Sequence, residues 1–86
     1  MKIHELKTRA EYFEAARKRQ KNFEIRKDDR DFQVGDLVKL EEFDNGKYTG
    51  RHTGLRPVLY VLRNCPEYGL AEGYCISSNK PTSTKR

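Results

Sequence analysis

Lys21, Glu24 and Arg26 place two cations around one carboxylate within six residues, in the stretch Lys21-Asn22-Phe23-Glu24-Ile25-Arg26-Lys27-Asp28-Asp29-Arg30. Residues of these types can bind a nucleotide. Lys21 and Arg26 would hold a phosphate or a base edge, and Glu24 would accept from a base amino group. The plain alternative is an ion-pair cluster that locks one element to another. Exposed pairs contribute only ~0–1 kcal/mol, which is a weak reason to concentrate charge in one place. Lys27, Arg30, Arg17 and Arg51 extend the set of candidate phosphate contacts, and Tyr12, Tyr48 and Tyr74 are candidate stacking surfaces. Each also has an ordinary reading: Lys27 and Arg30 are offset by Asp28 and Asp29, and small domains use tyrosines as half-core residues. A Lys21–Glu24 pair could activate water if burial lowered the lysine's pKa. Other nucleophiles are scarce, because Ser77, Ser78 and Ser83 fall near the end of the chain and Cys75 has no histidine close by.

The elements that must position these groups follow from the pattern around them. Phe23 and Ile25 alternate with Glu24 and Arg26, the mark of a strand with one buried face. The apolar pair is expected to face the core, with the charged pair facing out. Upstream, Thr8-Arg9-Ala10-Glu11 has the form of a capping box, opening a helix over about 9–19 with Tyr12, Phe13 and Ala16 on its apolar side. Arg17, Lys18, Arg19 and Lys21 crowd its last turn, where cations favour the negative end of the helix dipole. Ile3 and Leu6 point to a short first strand, in which His4 reads as a satisfied strand histidine.

Downstream, Phe32 and Val34 read as apolar plugs leading into a Gly35-Asp36 turn. Leu37–Phe43 is a strand with Val38 and Leu40 on one face. Asp44-Asn45-Gly46-Lys47 is a hairpin signal. Val58–Leu62 is the most apolar run and a central strand, with Pro57 at its start or at a bulge. A loop over 64–69 and a strand over 73–77 complete a domain assigned to residues 1–78. The polar segment 79–86 is expected to be a disordered tail. The order of strand, helix, then four or five closely spaced strands predicts an α+β fold with a small closed or nearly closed barrel.

Composition sets the class. The 86 residues are 35% hydrophobic and 36% charged, with mean hydropathy −1.00, net charge +5 and pI about 9.4. Such a surface concentrates polyanions, of which nucleic acid is the commonest. The two cysteines, ten residues apart, and the two histidines lack zinc-ligand spacing, so neither metal nor cofactor is expected. Without a leader or an apolar run near the ~20 residues of a membrane helix, the chain is expected to be soluble and cytoplasmic with reduced thiols.

His4-Glu5-Leu6-Lys7, Tyr12-Phe13, the stretch 21–30, Asp31-Phe32-Gln33-Val34-Gly35-Asp36 and Tyr48-Thr49-Gly50-Arg51 together resemble the ASCH-like group of the PUA superfamily. The nearest likeness is to the DUF3850 family of bacteria and their phages. Lys21-x-x-Glu24-x-Arg26 and Phe32-x-Val34-Gly35-Asp36 carry the resemblance, which spans residues 3–76. It implies a pseudo-barrel of five or six strands with one N-terminal helix, and a cleft where the motif residues meet the helix end. RNA binding is the usual proposal for such domains. A subset hydrolyses N4-acylated cytidine with a lysine, a threonine and a glutamate. Lys21 matches that lysine, Glu24 stands at the threonine position, and Glu72 is the nearest candidate for the remaining carboxylate. Arg19 occupies a position where the family commonly has glycine, which requires another helix exit or a strained φ. Asp28 stands where asparagine is common. The expectation is therefore an RNA- or nucleotide-binding module, with a small amidohydrolase as the alternative and a host protein as a further conceivable partner.

Overall fold

The computed structural model describes residues 1–81. Strands β1 (Ile3–Arg9), β2 (Phe23–Lys27), β3 (Leu37–Asp44), β4 (Lys47–Arg63) and β5 (Tyr74–Asn79) form one sheet in the order β1-β3-β4-β5-β2. Helix α1 (Ala10–Arg17) links β1 to β2, and a single 3-10 turn (Pro66–Tyr68) lies between β4 and β5. The β1–β3 pair is parallel, and the other three pairs are antiparallel.

β4 is what lets a few strands wrap a core. It pairs with β3 as far as Pro57 and with β5 from Val58 onward. Pro57 thus stands inside a long strand, at the changeover between partners, where its missing amide disturbs neither ladder. Gly50 and Gly54 have φ of 92° and 74° in the half that pairs with β3, where the register with β3 shifts twice. These positive angles bend the strand as bulges do. Thr53 Oγ1 accepts from the Leu40 amide at 3.1 Å there, in place of a ladder carbonyl. The Asp44–Lys47 hairpin forms as expected, with Asn45 and Gly46 both at positive φ (53° and 77°), the I′ pattern.

The core joins Leu6, Phe13, Ala16, Phe32, Val38, Leu40, Val58 and Cys75, with Val61 packed against it. Phe13 and Ala16 bring α1 onto the inner face of the sheet. The Phe32 ring stacks at a tilt on His4, 4.5 Å between centroids. His4 Nε2 hydrogen-bonds Asp36 Oδ2 at 2.9 Å, so His4 is a satisfied interior residue.

Several expectations are corrected. The sheet does not close into a barrel: β1 and β2 are its two edges and share no ladder. Side chains span the gap instead. Arg26 Nη2 donates to Lys7 O at 2.7 Å, and Arg30 Nη1 donates to Glu5 O at 3.0 Å.

The faces of β2 are the reverse of those expected. Glu24 is buried, whereas Phe23 and Ile25 are 42% and 56% exposed. Alternation fixes which residues share a face but not which face turns inward. Here the interior side of an edge strand sits beside the polar exit of the helix.

The capping box does not form. Thr8 remains in β1, held by the ladder that runs to Arg9↔Phe43, and its hydroxyl donates to Leu6 O at 3.2 Å. The helix opens at Ala10 behind an extended Arg9 with no side-chain cap. Val34 is exposed rather than a plug. β5 runs one residue past the expected domain end, and its Asn79 is fully buried. The rest of the tail expectation, over 82–86, lies outside the described residues.

Candidate functional site

The exit from α1 is a tight one. The Gln20 amide donates to Ala15 O at 2.8 Å and the Arg19 amide to Ala16 O at 3.0 Å, with Arg19 at φ 64°. This is the Schellman pattern with an arginine where glycine is usual. The turn drops Lys21 directly beside the start of β2.

There the two sheet edges face each other across a cleft of about 530 Å³. β1 supplies Lys7, Thr8 and Arg9, the helix supplies Tyr12, and Lys21 joins Phe23 to Arg26 of β2. Glu24 sits at its base, 4% exposed. Lys21 Nζ donates to Glu24 Oε2 at 2.7 Å and to Phe23 O at 2.8 Å. Arg26 Nη2 lies 3.3 Å from Glu24 Oε1, in addition to its bond across the gap. The carboxylate is thereby held in one orientation by two cations.

Aromatic faces line the opening. Lys21 Nζ lies 5.6 Å from the Tyr12 ring centre and 5.1 Å from that of Phe23, and the Arg9 guanidinium lies 5.2 Å from Tyr12, all within cation–π range. Four lining cations (Lys7, Arg9, Lys21, Arg26) against the single carboxylate of Glu24 leave three positive charges in the cleft. A cleft of one dominant sign focuses field and attracts the opposite charge.

Residues 3–78 match the family described as Domain of unknown function (DUF3850). This chain is a DUF3850 protein. It is also similar to an uncharacterized 12.9 kDa protein in the GpA 3' region of Escherichia phage P2, with 42% identity over 55 residues. The match covers 64% of this chain and 50% of that relative, so it spans half of the relative's length.

In the DUF3850 fold only some of the expected site residues meet. Lys21, Glu24 and Arg26 meet in the cleft, and Arg30 reaches the neighbouring β1 edge. Arg17 and Arg51 instead converge on Glu14 away from the cleft. Arg17 Nε donates to Glu14 Oε1 at 3.2 Å, and Arg51 Nη2 lies 3.3 Å from the same oxygen. The Arg17 hydrogen bond, with its charge and that of Arg51, holds the Glu14 carboxyl down at about 2. Arg51 also lies 3.5 Å from Glu42 and over the Phe13 ring.

Lys27 and Tyr74 are register partners on the outer side of the β2–β5 pair and do not line the cleft. Tyr48 stacks on Phe43 at 5.7 Å. Glu72 lines a separate cleft of about 310 Å³ with Cys65, Pro66 and Leu70, so it is not brought to Lys21. Asp28 accepts two bonds from Arg63, at 2.6 and 3.1 Å, and Arg63 also donates to Phe32 O at 2.8 Å. This is a bidentate clamp that ties the loop after β2 to β4.

Three contributors were not legible as site residues. Lys7 and Arg9 fall in stretches read for the family likeness and for a helix cap, and only the meeting of the two edges gives them a common wall. Arg56 is 4% exposed and donates from Nη2 to Ala16 O at 3.1 Å. Burial pushes its pKa below the usual arginine value, the charge of Arg19 adds to that, and Glu24 opposes it. Its spacing of two from the buried Val58 was the available signal. Among the described residues no cluster of three or more His, Cys, Asp or Glu could hold a metal, and no helix is long and apolar enough to cross a membrane.

Proposed function

We propose that this protein is an ASCH-like module of the PUA superfamily that binds single-stranded RNA or a nucleotide without transforming it. The observation that carries this is the cleft between the sheet edges, with three net positive charges and two aromatic walls around one fixed carboxylate. Lys7, Arg9 and Arg26 would take phosphate oxygens, Tyr12 and Phe23 would stack on bases, and Glu24 would accept from a base amino group. Stacking contributes about 1–3 kcal/mol per base, and the cations supply the salt-sensitive part. A small, mostly-β fold with one helix whose exit leads directly into the motif strand supports the superfamily placement.

Fluorescence anisotropy with short single-stranded RNAs tests the reading. Lys21→Ala and Arg26→Ala are each expected to weaken binding about tenfold, or roughly 1.4 kcal/mol, the magnitude of a charged hydrogen bond. Binding unchanged in both variants would remove the cleft from the account.

A second reading rests on one feature. Thr8, Lys21 and Glu24 line the same cleft, bringing together the hydroxyl, amine and carboxylate types that acyl-cytidine hydrolases of the ASCH group use. N4-acetylcytidine incubated with the protein and followed by chromatography tests it. Release of acetate that is abolished by Thr8→Ala would establish the hydrolase, and intact substrate at high protein concentration would dismiss it for this compound.

A further inference from the structure

Five buried side-chain atoms have no hydrogen-bond partner among the described residues: Asn22 Oδ1, Arg56 Nε and Nη1, and Asn79 Nδ2 and Oδ1. They come from three separate elements, yet all belong to one place, the exit of α1 into β2. Asn22 Nδ2 donates to Arg19 O at 3.1 Å, and the Asn79 amide donates to Asn22 O at 3.0 Å. Asn79 is the register partner of Val58, and Arg56 precedes Val58 by two on the same face of β4, with its Nη2 on Ala16 O. Glu24 is the partner of Ser77, which precedes Asn79 by two on the same face of β5. The cluster therefore lies directly behind Glu24 and is joined to the cleft through Glu24 and the Lys21-Asn22 segment. Asn79 is 1% and Arg56 4% exposed.

Buried polar groups are nearly always paired, because an unpaired one gives up its bonds to water and gains nothing in return. Five in one spot call for a polar partner from outside the chain. Their chemistry points to what would satisfy them. Three are donor positions (Arg56 Nε and Nη1, Asn79 Nδ2) and two are acceptors (Asn79 Oδ1, Asn22 Oδ1). Phosphate offers acceptors alone, and it would meet the Glu24 carboxylate and the carbonyl end of α1, both unfavourable to an anion. A nucleobase edge carries C=O beside N–H and uses both kinds. Arginine and asparagine are the side chains whose forked geometry reads such edges in pairs.

We propose that Arg56, Asn79 and Asn22 are the base-reading part of the site, a polar recess behind Glu24 that takes the hydrogen-bonding edge of one nucleobase. The cations at the cleft mouth hold the adjoining phosphate. This rests on the nucleotide-binding reading of the cleft and adds to it the division between base and phosphate.

The test compares a short single-stranded RNA with the same strand carrying an abasic nucleotide at each position in turn, by fluorescence anisotropy. The full chain, Asn79→Leu and Arg56→Lys are each measured, with melting temperatures alongside. The unaltered chain is expected to bind the intact strand at least tenfold tighter than one of the abasic strands. Asn79→Leu is expected to lose that preference, keep the abasic affinity, and melt at an equal or higher temperature, since it removes two unpartnered atoms. Arg56→Lys keeps the charge without the fork and is expected to lose the preference as well. A preference retained in both variants overturns the recess, as does an Asn79→Leu that melts lower and still discriminates. Equal binding of every abasic strand by the unaltered chain overturns the recess and the stacking role of Tyr12 and Phe23, and leaves standing only the phosphate contacts of the cleft. Failure to bind any strand overturns the cleft reading itself.

Discussion

At the residue scale, the behaviour of the site turns on one buried carboxylate. Glu24 fixes Lys21 and Arg26, each of which also has a backbone acceptor. Its cations are only half-buried, so removing it costs less than the ~3–5 kcal/mol of breaking a fully buried pair. Glu24→Gln is expected to lower stability by about 1–2 kcal/mol in urea unfolding and to weaken RNA binding, because the base amino group loses its charged acceptor and Lys21 and Arg26 lose their anchor. Asp36 governs the acid response. It is buried and accepts from His4, from the Lys2 amide at 3.1 Å and from the Gln33 amide at 3.0 Å. Chiefly through the His4 bond, its carboxyl is held down at about 2, from an ordinary 3.8. A depressed carboxylate contributes stability that is complete above its unfolded pKa and is lost as pH falls through the folded one. Melting temperature is expected to drop between about pH 4 and pH 2, and Asp36→Asn is expected to flatten that drop while lowering stability at neutral pH by about 2 kcal/mol. The charged types of this site were legible in the sequence, but their orientation was not. A carboxylate two residues from one arginine and three from a lysine can be buried with them or exposed with them, and only the packing decides which.

At the element scale, the helix exit was the most legible detail. Arginine where the resemblance places glycine left two outcomes, another helix exit or a strained φ, and Arg19 takes the second at φ 64°. Arg19→Gly is expected to stabilise the fold by about 1 kcal/mol, the usual cost of a non-glycine residue in that region, read as a rise in melting temperature. Binding through the cleft should be unaffected, because Arg19 does not line it. The start of the same helix was misread for a comparable local reason. Thr8 and Glu11 have capping-box spacing, but the parallel ladder with β3 extends to Arg9 and keeps Thr8 extended. A tertiary pairing 34 residues away in sequence, Thr8↔Glu42, outweighed a local signal worth about 1 kcal/mol. The strand expected over Val58–Leu62, with Pro57 at its start or at a bulge, is only one part of β4, which also carries Gly50 and Gly54. Those residues bend and re-partner one long strand.

At the scale of the whole molecule, the mostly-β class with one helix was legible from short apolar runs and turn residues, whereas closure was not. A barrel would seal β1 to β2 with a ladder. Here the edges are joined by arginines, and the opening between them is the cleft. Those arginines also blunt an exposed edge that could otherwise pair with another chain. Arg30→Ala is expected to speed amide exchange in β1 without changing the global unfolding free energy by more than about 1 kcal/mol.

The central claim is that this opening binds a polyanion through its own charge. The most direct measurement is the salt dependence of single-stranded RNA affinity for the unaltered chain and for Arg26→Ala. Contact with about three phosphates implies a slope of log affinity against log salt near −2, or a roughly 20-fold loss between about 50 and 200 mM salt. Arg26→Ala is expected to reduce that slope by about 0.7, one phosphate's share for a single strand. Affinity that does not move with salt, or a slope identical in the variant, would contradict the account.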